Sequence, residues 1–443
     1  MSDSAVDRFR TLLRIPTVSP PLEADTDWAS FQRFREALAD LYPSLHANLE
    51  HELVAEHSIL FRWKGASSEQ PSVLMAHYDV VPATDEGWTH PPFSATLTGE
   101  GTDDATIWSR GAIDDKGALV TLLEAAEKLS VDGFVPKHDI YLSFGHNEEV
   151  QGSGAQAIAK LFTERGVTPA FVLDEGGAVV EGVFPGVEKP IAVVGVSEKG
   201  IMNVRLTVRQ QGGHASTPPD MTATARLARA IDRLRRNQFP AKLTATNVAM
   251  VSILGAEATG PLAYAAKYPT AAKSLLPQVF ARMSDETRAM VRTTMAVTQL
   301  EGSLAANALA ESAKAIVNVR IAVGSSVAES IRHLTKAIHD PLVSITIDEA
   351  NEPSRTSPHD GPAWEHLAAS IRDTFDNTIV TPYIMLGASD ARHFAKLSAH
   401  VYRFSPFDLT TDERGALHAV DERIRVSSYL RGISFYERLV AGL

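Results

Sequence analysis

From residue 58 onward, short apolar runs alternate with stretches of helical periodicity. Residues 58–63, 72–76, 139–144 and 170–173 are short, apolar and bounded by turn-forming or polar residues, and they predict strands. Between them, residues 116–130 place Leu119, Leu122, Leu123, Ala126 and Leu129 at helical spacing, and residues 153–162 follow the same pattern. The stretch from Asp421 predicts a C-terminal amphipathic helix striped by Ile424, Leu430, Ile433 and Leu439. Strands interleaved with helices predict an α/β fold, a mixed sheet with helices on both faces.

The texture changes near Ser197. Residues 203–209 and 313–321 alternate apolar with polar side chains, and residues 223–236 carry a helical stripe, which predicts an α+β domain inserted over residues 198–355. The first domain then comprises residues 1–197 and 356–443, resuming with a helix over 364–375. Within the insert, residues 240–300 are rich in Ala, Leu, Met and Pro, lack strand alternation and read as helical lid elements. Leu262, Leu275, Leu276 and Phe280 there are either an apolar substrate pocket or the core of those helices.

Composition narrows the chemistry. The 443 residues include 54 acidic and 42 basic side chains, for a net charge of −12, and no cysteine. Disulfide scaffolds, thiolate metal sites and cysteine nucleophiles are excluded, so a tightly held metal must sit on His, Asp and Glu. The negative balance argues against a nucleic-acid partner. The longest apolar run, residues 191–196, is far short of the roughly 20 residues that span a bilayer. Asp3 and Asp7 precede Leu12 and Leu13 without the basic and apolar regions of a signal peptide, so a cytoplasmic enzyme is expected.

Acidic residues gather where the predicted strands end. His77 and Asp79 follow the strand over 72–76, Asp114 and Asp115 lie in Arg110-Gly-Ala-Ile-Asp-Asp-Lys-Gly117, Glu148 and Glu149 follow 139–144, and Asp174 and Glu175 follow 170–173, each group being read as standing at the C-terminal end of an apolar strand. In open α/β sheets ligands bind at that edge. One such pair alone is usually a solvated loop; several in succession would repel one another and lose hydration unless cations were bound. His77-x-Asp79 suits a histidine ligand oriented by a carboxylate behind it. The donor set favours zinc in a two-metal hydrolytic site, with cobalt or manganese allowed by the same ligands.

His77-Tyr-Asp79, Gly111-Ala-Ile-Asp114-Asp-Lys-Gly117, Asn147-Glu148-Glu149, Asp174-Glu-Gly176, Gly212-Gly-His214 and Leu417-His418 resemble, in order, the motifs of the di-zinc aminoacylase and carboxypeptidase family. That family includes acetylornithine deacetylase, succinyl-diaminopimelate desuccinylase and glutamate carboxypeptidase. Through Val196-Ser-Glu-Lys-Gly200 and Val291-Arg-Thr-Thr294 the likeness is closer to the branch of Gly-X carboxypeptidase and the secreted N-fatty-acyl-amino-acid hydrolase/synthase. The resemblance implies a zinc-peptidase catalytic domain carrying an inserted lid and dimerisation domain. It assigns His77 and Asp174 to one zinc, Glu149 and His418 to the other, and Asp114 to the bridge between them. Glu148 matches the general base, Asp79 the carboxylate behind His77, and Asp114–Asp115 a peptide bond that is cis in relatives. His214 matches a histidine that polarises the scissile carbonyl from the partner subunit, so a homodimer built near residues 200–240 is expected. Asn307 and Arg320 match contacts to the oxyanion and the substrate carboxylate. Gly387-Ala-Ser389-Asp390 resembles the family's Gly-x-Thr-Asp substrate loop.

Departures accompany these matches. After Asn307 the family's proline is missing, and Ser389 is as well suited to capping the helix that starts at Asp390 as to touching substrate. The secreted relatives' extracellular role does not carry over. His146 is read as lying outside the ligand set, and His46, His51 and His57 as surface residues. Ser389, Asp390 and His393 imitate a triad by composition only, since no G-x-S-x-G elbow is present. The implied reaction is hydrolysis of the amide of an N-acyl amino acid or dipeptide with a free carboxylate. A two-metal phosphatase is the alternative the metals alone would allow, but one arginine is poor provision for a phosphate. A binding protein that has lost catalysis is disfavoured by the retained Glu148.

Overall fold

The computed structural model describes residues 2–150, 152–184, 186–260, 263 and 276–443. A ten-stranded mixed sheet organises the first part of the molecule. At its centre the strand Ser67–His77 runs parallel to both His138–Gly145 and Phe171–Asp174, and Val401–Arg403 continues the parallel set. Residues 71–77 of the central strand are buried throughout, as expected of a strand covered on both faces.

Alternation along these strands sorts side chains between two apolar layers. Leu74 and Ala76 face the larger layer, with Leu119, Leu122 and Leu123 of the helix Lys116–Val131 and with Tyr436 and Leu439 of the C-terminal helix Val426–Ala441. Val73 and Met75 face the other, with Ile158 and Phe162 of the helix Ser153–Arg165 and Phe394 of the short 3-10 helix Asp390–Lys396. The predicted strand and helix cores lie within these observed elements. The predicted C-terminal helix begins later, at Val426, after a short strand Arg423–Arg425 that pairs with Thr106–Trp108.

A second, separate core lies under a four-stranded antiparallel sheet ordered Thr294–Glu301, Ser312–Ile321, Gly200–Arg209, Val343–Asn351. Met202, Val204, Leu206 and Val208 point inward onto Leu227, Ala230 and Leu234 of the helix Ala223–Arg236 and Leu334 of the helix Val327–Ile338. Two differences from expectation appear here. Thr294–Glu301 is an edge strand, with most of its residues exposed on both faces, so no apolar alternation marks it. The helices Ala245–Glu257, Leu276–Met283 and Asp285–Met290 pack instead into the first core through Met250, Leu254, Phe280 and Met290. Phe280 is therefore buried core, and Leu276 packs against that cluster, whereas Leu262 and Leu275 lie outside the described residues. Among the described residues no helix is long and apolar enough to cross a membrane.

Candidate metal centre

The parallel strands deliver their C-terminal ends to one crevice. His77 is the last residue of its strand, Glu148 and Glu149 follow His138–Gly145, and Glu175 follows Phe171–Asp174. Asp114 arrives on the loop before the helix Lys116–Val131, and His418 on the loop after the short helix Thr411–Gly415. His77 Nε2 lies 3.0 Å from Asp114 Oδ1 and 3.7 Å from Glu175 Oε1. His418 Nε2 lies 2.9 Å from Asp114 Oδ2 and 3.2 Å from Glu149 Oε2. Two three-residue donor groups thus share Asp114, one oxygen facing each histidine. The Asp114–Asp115 peptide bond is cis.

Asp79 organises this array from behind. Its backbone and side-chain oxygens lie 3.0 and 3.2 Å from His77 Nδ1, and its carboxylate accepts the backbone N–H groups of Glu148 and Glu149 at 3.1 and 3.2 Å. Asp115 accepts the N–H of His77 at 3.2 Å.

Asp174 lies outside both donor groups, contrary to expectation. Its carboxylate is buried and accepts the N–H groups of Glu175 at 3.0 Å and Ala391 at 2.6 Å. Successive side chains at a strand end point to opposite sides, so Asp174 turns into the fold and Glu175 faces His77. Gly176, with φ of +137°, lets the chain turn directly after Glu175, and a Cβ there would lie 2.6 Å from Met385 Sδ.

The electrostatics fit a pair of divalent cations. Burial opposes charge on His77, yet hydrogen bonds to Asp114, Asp79 and Glu175 carry it well above its ordinary value. Bonds to Asp114 and Glu149 push His418 up to about 11. Protons on these histidines therefore hold places in which cations would neutralise Asp114, Glu149 and Glu175. Glu149 Oε1 is buried with no hydrogen-bond partner, an orphaned oxygen that a bound cation would satisfy. Nitrogen and oxygen donors without thiols suit zinc and its neighbours.

A cavity of about 460 Å³ opens on this centre, lined by Glu148, Glu175, Arg320, Gly387, Arg392 and His418 among others. Burial raises Glu148 well above the usual carboxylate range; His77 opposes the shift, and Asp390, Glu175 and Glu149 add to it. Arg392 Nη1 lies 3.6 Å from Glu148 Oε1, a second guanidinium beside Arg320 that sequence reasoning passed over. A larger cavity of about 600 Å³ lies at the opposite ends of the parallel strands, where Arg62 pairs with Asp139 and Arg165 with Glu52, away from this chemistry.

Other expected contacts divide. Arg320 and Gly387 line the cavity. Ser389 does not: its N–H and hydroxyl donate to buried Glu198 at 3.3 and 3.2 Å, and its side chain makes no cap bond to the 3-10 helix. His214 and Asn307 lie side by side in a two-stranded antiparallel ladder, where His214 pairs with Ala308 and Ala215 N–H donates to Asn307 O at 3.0 Å, but both are exposed and neither lines the cavity of their own chain. His146 is buried and outside the donor groups, its Nδ1 2.7 Å from Ser58 Oγ. Of the histidines read as surface, His51 is exposed, while His46 and His57 are partly covered, His57 stacking on Trp28 at 3.7 Å.

Comparison with known proteins places this geometry. Residues 73–442 match peptidase family M20/M25/M40. The N-fatty-acyl-amino acid synthase/hydrolase PM20D1 of Homo sapiens is 34% identical over 441 residues, covering 98% of this chain and 86% of that protein. The probable carboxypeptidase S-like 2 of Dictyostelium discoideum is 34% identical over 424 residues, covering 94% of this chain and 80% of that protein. Among solved structures, the M20 family metallo-carboxypeptidase Sso-CP2 from Sulfolobus solfataricus shares the fold at a TM-score of 0.73 and 16% identity, covering 99% of this chain and 98% of that one. With the match spanning most of the chain and two donor groups able to hold metal gathered in one crevice, the protein belongs to peptidase family M20/M25/M40 and is a metal-dependent hydrolase.

Proposed function

We propose that the chain hydrolyses the amide bond between an acyl or aminoacyl group and an amino acid whose carboxylate is free, with two divalent cations, zinc by preference, held by His77 and Glu175, by Glu149 and His418, and by Asp114 between them. The observation that carries this reading is the sharing of Asp114 by two donor groups in a cavity that also holds a carboxylate base and a guanidinium. When bound, the cations supply Lewis acidity to the scissile carbonyl and acidify water. Glu148 takes the proton of the attacking water and returns it to the leaving nitrogen, as the C–O bond forms and the C–N bond breaks. Its burial supports this role, since a carboxylate with a raised proton affinity is a better base. Arg320 holds the free carboxylate, and the apolar side chains Ile113, Met385, Leu409 and Leu417 on the cavity wall suit the acyl group.

The reading includes a homodimer. His214 and Asn307 stand outside their own chain's cavity, which suits donation of His214 to a partner's site. Gly200–Arg209 is paired on both sides, so an interface near residues 200–240 would use the helix Ala223–Arg236, and the open sheet edges are Thr294–Glu301 and Val343–Asn351. Purified, zinc-loaded protein screened against N-acyl amino acids, dipeptides and phosphomonoesters tests the proposal. Turnover of the first two and its loss in Glu148→Gln, by about 10² to 10⁴ with metal retained, is expected. The two arginines of the cavity make phosphomonoesters the relevant rival, and turnover of those alone overturns the reading.

A further inference from the structure

The two histidines of the centre are held by different devices. His77 is oriented through its ring, with Nδ1 against Asp79. His418 turns Nε2 toward Asp114 and Glu149, but no described residue bonds its other ring nitrogen, and its side chain is 53% exposed. What fixes His418 is its loop. Arg110 Nη2 donates to Ala419 O at 2.9 Å, Thr89 donates through N–H and hydroxyl to Asp421 at 2.7 and 2.8 Å, and Ser109 N–H donates to Glu422 O at 3.0 Å.

Glu422 closes this arrangement onto the loop that carries Asp114. It is fully buried; Oε1 accepts the N–H groups of Ile113 at 2.9 Å and of Asp114 at 3.2 Å, and Oε2 accepts Arg110 Nη1 at 2.6 Å. One carboxylate thus grips the backbone of the shared ligand while its guanidinium partner grips the residue next to His418. A buried ion pair is weak evidence for stability, because desolvation consumes much of its attraction. Its placement between two ligand loops points to another role.

We infer that Glu422, through Arg110, is the positioning residue that sets His418 against Asp114 and thereby governs the affinity of the subsite formed by Asp114, Glu149 and His418. The inference rests on the two-cation reading above. Groups behind metal ligands typically change metal affinity by about 10- to 100-fold when removed. Their effect here is unequal: Asp114 serves both subsites, but His77 has its own support in Asp79 whereas His418 depends on the loop that Arg110 and Glu422 hold.

The test is elemental analysis and calorimetric zinc titration of the parent, Glu422→Ala, Glu422→Gln and His418→Ala. Glu422→Ala is expected to weaken the ion at Asp114, Glu149 and His418 by roughly 10- to 100-fold and the ion on the His77 side clearly less, so that it resembles His418→Ala at limiting zinc. Glu422→Gln, which still accepts the two backbone N–H groups, recovers part of that loss. A folded Glu422→Ala that binds both ions like the parent, or loses both in parallel, overturns the inference. If Glu422→Ala does not fold, Arg110→Lys decides: one ammonium nitrogen replaces the planar fork whose two nitrogens reach Glu422 and Ala419 separately, so the second ion weakens, and unchanged binding overturns the inference. A parent that takes up fewer than two ions sinks the two-cation reading instead.

Discussion

Asp174 and Glu175 are adjacent carboxylates with opposite tasks. Asp174 secures two buried backbone donors, whereas Glu175 presents its oxygen to His77. Glu175→Ala is therefore expected to lose the ion on the His77 side while unfolding near the parental midpoint. Asp174→Ala leaves those N–H groups without their acceptor, at about 1–3 kcal/mol each, and should lower stability while still taking up two ions. Denaturant melts beside metal analysis separate the two; the reverse pattern would restore Asp174 as the ligand. Protonation adds a second test at this scale. In the ion-free chain His418 sits near about 11, and burial together with the charge of Asp114 lifts Glu175 to about 8. At neutral pH both carry protons that an incoming cation must displace, so zinc binding releases protons and tightens as the pH rises through about 8. Calorimetry in buffers of different ionisation enthalpy measures this release, and a proton count of zero would remove the two groups from the ligand set.

At the scale of elements, the site is a product of strand ends and strand faces. On Ser312–Ile321 alternate residues Val317, Val319 and Ile321 enter the lid core, which leaves Asn318 and Arg320 on the opposite face, and Arg320 reaches the cavity. Hydrogen bonds to charged groups are worth about 1.5–3 kcal/mol. Arg320→Ala should then lower kcat/KM for free-acid substrates roughly 10- to 100-fold while treating a carboxamide analogue much as the parent does. Equal losses on both would mark a structural arginine. The crossing into the lid is built from two adjacent buried charges. Glu198 receives Arg403 at 2.9 Å together with Ser389, and Lys199 donates to the carbonyls of Ala289 and Arg292 at 3.1 and 2.9 Å. The Ser-Glu-Lys-Gly and Val-Arg-Thr-Thr segments, far apart in the chain, meet there.

For the whole molecule, two cores lie on either side of one crevice, Arg320 coming from the lid and the metal-ligating residues from the larger sheet. If two copies complete each other's sites, inactive His214→Ala subunits mixed with inactive Glu148→Gln subunits should regain activity. With random exchange about half of the dimers are mixed and each holds one good site of two, so about a quarter of parental activity returns. Proven exchange without recovery would place His214 outside the partner's chemistry.

Sequence by itself determined the strand positions at the heart of the main sheet, the exclusion of thiolate chemistry, and the arrival of His77 and Glu149 at one sheet edge, because burial alternation and strand-end position are local properties; Asp114 and His418, which sit on loops, joined them only through the family's motifs. It also carried the family, whose motifs stand in order along the chain. Tertiary structure alone decided that Glu175 and not Asp174 faces His77, that Ser389 is spent on Glu198, that Arg392 reaches the cavity, and that the helices Ala245–Glu257, Leu276–Met283 and Asp285–Met290 belong to the first core. It alone brought Glu422 beneath Asp114. Each of these depends on the direction of a side chain relative to a partner distant in sequence, and neither composition nor periodicity encodes which buried donor a carboxylate will meet.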